Sequence, residues 1–81
     1  MRDELLEAIS QYLKGGIAKH KANIEVYLNQ TVGIGEHSDI IDTIEKELEQ
    51  LSSYEDKLEV LKKHFKSTKD LGTKELLNEG T

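Results

Sequence analysis

Residues 31–40 read "TVGIGEHSDI" and place Gly33, Gly35, Glu36, His37, Ser38 and Asp39 side by side. These types suit two chemistries. A Gly-X-Gly ahead of a helix lets backbone N–H groups converge on an anion, and the helix dipole adds positive potential there. Glu36, His37 and Asp39 are, by type, metal ligands. The pattern around them favours neither. The carboxylates of Glu36 and Asp39 repel an anion, no Gly-Lys-Ser/Thr follows, and no strand-like run leads in, so the phosphate-loop and dinucleotide fingerprints both fail. Adjacent residues at a turn seldom converge on one ion. The reading that remains is a hinge, in which Gly33 and Gly35 take loop conformations that other residues resist and His37 and Ser38 start the next helix.

Carboxylates recur at helical spacing further along. Glu45 and Glu49, like Glu55 and Glu59, are spaced i, i+4, as are the acids that hold Mg²⁺ in some helical bundles. All four fall beside the apolar stripe of their segment rather than on it, which suits a solvated face. His20 does lie on a stripe, and the expected role is a histidine at the edge of the core, bonded to a partner. Tyr12, Tyr27 and Tyr54 sit on or beside stripes and are read as packing residues with a wet hydroxyl.

The elements that carry these groups follow from spacing. Leu6, Ile9, Leu13, Ile17, His20, Ile24 and Tyr27 recur at intervals of three and four, which puts them on one helix face and predicts a helix over about 3–29. Gly15 and Gly16 cost that helix about 2 kcal/mol relative to alanine. The stripe keeps its phase across them, so the expectation is a continuous helix with another backbone element packed closely there. Ile40, Ile44, Leu51, Tyr54, Leu58, Leu61 and Phe65 form a second, heptad-like stripe, widened by Ile41 and Leu48, over about 39–66. Its acids crowd the first half and its lysines the last turns, matching the dipole, and Ser38 is placed as N-cap.

Two such helices joined by a short loop predict an all-α fold, an antiparallel two-helix hairpin over residues 1–66. Pairs whose numbers add to about 68 then face each other: Ile24 with Ile44, Ile17 with Leu51, Ile9 with Leu58, Leu6 with Leu61, and His20 with Leu48. Residues 67–81 read as a weakly ordered tail with a short helical turn over about 73–79. A lone hairpin leaves half of each stripe in water. The expected remedy is a homodimer, a four-helix bundle whose assembly seam is Leu6, Ile9, Leu13, Ile17, Ile24, Ile44, Leu51, Leu58 and Leu61.

Composition narrows the function. With 81 residues and no cysteine, the chain can use neither disulfides nor thiol-bound zinc to stabilise a small core. Its net charge of −5 disfavours nucleic-acid binding, which needs a basic face. Short apolar runs argue against a span or signal peptide, so a soluble cytoplasmic protein without membrane or nucleic-acid partners is expected.

One stretch carries a resemblance. Residues 21–48, "KANIEVYLNQTVGIGEHSDIIDTIEKEL", and within them "NIEVYLN" and "GIGEHSDI", resemble part of small uncharacterised proteins of T-even-type marine cyanophages and ocean metagenomes. The resemblance implies a phage-related setting, with the host cytoplasm as location, and an all-helical hairpin. It implies no activity. Together these readings point to a small helical interaction or structural accessory protein with no cofactor; an enzyme is the weaker class. The rival is a metal- or nucleotide-binding bundle using Glu45, Glu49, Glu55 and Glu59. A third reading, an acidic protein that occupies a nucleic-acid-binding surface of another protein, rests only on the carboxylates of residues 39–49.

Overall fold

Helix formers dominate both long segments, and proline is absent from the whole sequence. The computed structural model describes residues 1–29 and 37–68, which form α1 (Arg2–Leu28) and α2 (His37–His64). The expectations for Gly33, Gly35, Glu36 and the tail beyond Thr68 lie outside the described residues. Asp3 and Glu4 occupy the first turn of α1, where carboxylates complement the free N–H groups. Asn29 closes the other end, its backbone N–H and side-chain amide both donating to the Glu25 carbonyl at 3.1 and 2.7 Å. In α2, Asp39 sits in the first turn and Lys62, Lys63 and His64 in the last.

α1 runs unbroken through Gly15 and Gly16, as the continuous stripe led us to expect. A close neighbour is present at Gly16, although it is a side chain: a Cβ there would meet the Tyr54 ring at 2.6 Å, while one on Gly15 would meet nothing within 4 Å.

The helices are antiparallel. Arg2 Nη1 donates to the Lys66 carbonyl at 2.9 Å, Tyr12 meets Tyr54, and His20 Nδ1 reaches Glu47 at 2.9 Å, so numbers rise along α1 as they fall along α2. Those pairs add to 68, 66 and 67, in agreement with the register read from the stripes.

Three details differ from the sequence reading. α2 begins at His37, which puts Ser38 inside its first turn and not at the N-cap. It ends at His64, and beyond it the Lys66 carbonyl accepts from Arg2 while the Thr68 N–H donates to the Asp3 carboxylate at 3.0 Å. Phe65 therefore lies past the helix and is 53% exposed. Opposite His20 the seam holds Glu47 rather than Leu48, which is 51% exposed.

Burial is sparse. Among the described residues only Leu13 and His20 are buried, while Leu6, Ile17, Ile24, Ile40, Ile44, Leu51, Leu58 and Leu61 are half-buried along the seam. Ile9, on the stripe by spacing, is rotated towards its edge and exposed. Full burial of Leu13 supplies about 1.5–3 kcal/mol, and no other apolar side chain here reaches it.

Candidate functional site

The densest polar constellation is built around His20. His20 and Asn23 are three residues apart on α1, so both project from one face towards α2. There they meet Glu47. Its carboxylate lies 2.9 and 3.1 Å from His20 Nδ1 and accepts from Asn23 Nδ2 at 2.7 Å. A carboxylate can only accept, so Nδ1 carries the proton that is shared. The Asn23 amide, then the His20 hydrogen bond, hold the Glu47 carboxyl below its ordinary value, against the opposing effect of burial; the charges of His20 and Lys19 add to the lowering. Side-chain polar atoms that are buried here all find partners.

Tyr54 covers this pair. Its ring stacks on the His20 imidazole with centroids 5.6 Å apart and planes at 24°. It lies against Gly16, and only a residue without a side chain lets it come that close. Tyr12 meets the same ring edge-on at 6.0 Å, with the two hydroxyls at a long 3.5 Å. The Tyr12 hydroxyl, then the Tyr12 charge and burial, push the Tyr54 phenol above its ordinary value. Lys57 Nζ stands 5.7 Å from the ring centroid, within the range of a cation–π contact.

A carboxylate-held imidazole is the arrangement that orients a histidine as a base. Here His20 is only 8% exposed and lies between the helices, with Glu47 and Tyr54 packed on its ring. Among the described residues Glu47 is the one side chain hydrogen-bonded to it. Its chemistry is that of a lock: a polar pair set into an apolar seam, satisfied only when α1 and α2 are in one register. That is the bonded core-edge histidine expected from the sequence, with its partner now identified.

The remaining candidates are dispersed. Glu45, Glu49, Glu55 and Glu59 are exposed, and among the described residues no group of three or more His, Asp or Glu side chains gathers as a metal-ion site would require. His64 lies at the far end, edge-on to Phe65 with centroids 6.3 Å apart, well away from His20. Tyr27 is half-buried on α1. No described helix is long and apolar enough to cross a membrane.

Sequence reasoning passed over Glu47, though a signal was there. The α2 stripe steps by three and four except for one gap of seven between Ile44 and Leu51. Position 47 completes the spacing, so a glutamate stands where the heptad calls for an apolar residue, level with a histidine on the other stripe. Comparison with protein-family models, with curated proteins and with solved structures found no match.

Proposed function

We propose that this chain is a small helical interaction or structural accessory protein whose hairpin completes its core by pairing with a second copy as a four-helix bundle. The resemblance of residues 21–48 to cyanophage proteins adds a phage-related setting to this reading.

The observation that carries it is the thin core. Two helices of 27 and 28 residues bury only Leu13 and His20 among the described residues, while Leu28, Ile41 and Leu48 stand more than half exposed. A hairpin of this kind gains stability from whatever covers its stripes, and a homodimer is the simplest symmetric cover. The His20–Glu47 pair suits such a role, because a polar pair in a helical seam selects one register at some cost in stability.

Light scattering and thermal melts over a dilution series test the reading. The expected result is a dimer mass at micromolar concentration and a melting temperature that falls on dilution. A monomer mass throughout, with a melting temperature independent of concentration, would refute it.

A further inference from the structure

We propose that the second copy docks on one side of the hairpin only, the side formed by Ile17, Ile24, Leu28, Ile41, Ile44 and Leu48, with the two loop ends together. This rests on the assembly reading above and specifies its geometry.

Each residue turns an α-helix by about 100°. Measured from the Leu13–His20 line, Tyr12, Gly16 and Asn23 turn to one side, where Tyr54 and Glu47 already meet them. Ile17, Ile24 and Leu28 turn to the other side. In the antiparallel α2 the same rotation brings Ile41, Ile44 and Leu48 to that side too. By the observed register Leu28 is level with Ile41 and Ile24 with Ile44, so the six residues form one patch in the loop half of the hairpin. Leu28 is 62% and Ile41 57% exposed.

Towards the open end this side becomes charged, in a complementary order. α1 presents Glu7, Lys14 and, on the same line, the exposed Lys21; α2 presents Lys62 level with Glu7 and Glu55 level with Lys14, while Lys21 stands level with Leu48 at the margin of the apolar patch. Glu7, Lys14 and Lys62 line a single open groove together with Leu6, Leu61 and Phe65. Among the described residues Lys14, Glu55 and Lys62 make no ion pair.

A two-fold axis parallel to the helices sets α1 beside the partner's α2 and keeps every level. The apolar half then covers its own copy, while Glu7 meets the partner's Lys62 and Lys14 meets the partner's Glu55. A fully overlapped pairing about a perpendicular axis would instead lay the apolar loop half on the charged open half. Two charge pairs that complement each other across this axis, with the apolar patch laid on its own copy and Lys21 at the patch margin, commit the occupant to a second copy of this chain.

Leu48→Lys, which sets a like charge against the partner's Lys21, and Ile41→Glu place a charge in the proposed interface at residues that the hairpin itself leaves more than half exposed. Each is expected to weaken self-association by about 100-fold or more, whereas Ile9→Glu, on the opposite flank, keeps the wild-type dissociation constant. Circular dichroism at high protein concentration checks that helicity is retained. The chain has no cysteine, so Lys63→Cys gives one spin-label site per copy near the open end. Loop ends together predict a label separation of about 20–30 Å, set by a bundle two helices across; the opposite pairing predicts about 40 Å or more, the length of a helix. A long separation, or dissociation by Ile9→Glu and not by Leu48→Lys, would overturn this geometry and leave assembly standing. A wild type that is monomeric at every concentration would overturn both.

Discussion

Gly15 and Gly16 are chemically identical neighbours in mid-helix, and the structure predicts opposite responses to the same substitution. Alanine at either position gains about 1 kcal/mol of helix propensity over glycine. At Gly15 nothing lies within 4 Å of the added methyl, so Gly15→Ala keeps that gain. At Gly16 the methyl would stand 2.6 Å from both Cδ1 and Cε1 of Tyr54 and 2.8 Å from Cγ. Contact with Cγ as well as the ring edge means that spinning the ring gives no relief; the whole side chain must move. It would then leave its stack on His20 and its contact with Tyr12. Overpacking of this kind costs about 1–3 kcal/mol, which offsets the propensity gain and leaves Gly16→Ala between neutral and about 2 kcal/mol less stable than wild type. The two variants should thus differ by about 1–3 kcal/mol, a gap of roughly 4–20 °C in melting temperature for a domain of this size. Circular dichroism melts of wild type and both variants at one shared protein concentration measure it. Equal melting temperatures for the two variants, or Gly16→Ala melting above wild type, would refute the close packing of Tyr54 on α1.

Three further outcomes follow from the seam. Leu13→Ala removes the one buried apolar side chain among the described residues and should cost about 2–5 kcal/mol in urea unfolding; a loss under 1 kcal/mol would show that Leu13 is not the centre of the core. The Glu47 carboxyl is held below its ordinary 4.5 in the folded chain, so the stability it contributes is complete above that value and is lost as pH falls through the lower folded value. Melting temperature should therefore drop less steeply below pH 4.5 in Glu47→Gln than in wild type, and parallel acid profiles would remove Glu47 from the account. Millimolar Mg²⁺ should leave the wild-type melt unchanged. A rise of several degrees that disappears in Glu45→Gln with Glu49→Gln would restore the carboxylate pairs as a binding site.

The two helices, their antiparallel order and their register were legible in the sequence, because each rests on a property carried by the chain locally. Intervals of three and four from Leu6 to Tyr27, and from Ile40 to Leu61 with one gap of seven, define an apolar stripe whatever lies opposite, and two stripes joined by a short loop can match levels in one way. The continuity of α1 through Gly15 and Gly16 was readable for the same reason, since the stripe on both sides of them keeps one phase. What the chain could not specify locally is the azimuth at which one helix views the other. That angle decides that Glu47 and not Leu48 faces His20, that Gly16 and not Gly15 lies beneath Tyr54, and that Ile9 turns towards solvent although it shares the spacing of Leu13. The contacts just past the end of α2 are decided the same way, because Arg2 and Asp3 reach them only once the hairpin has closed. Spacing along a helix is set by bonds four residues apart, whereas these choices depend on contacts between residues 24 to 65 apart in the chain, which come into being with the fold itself.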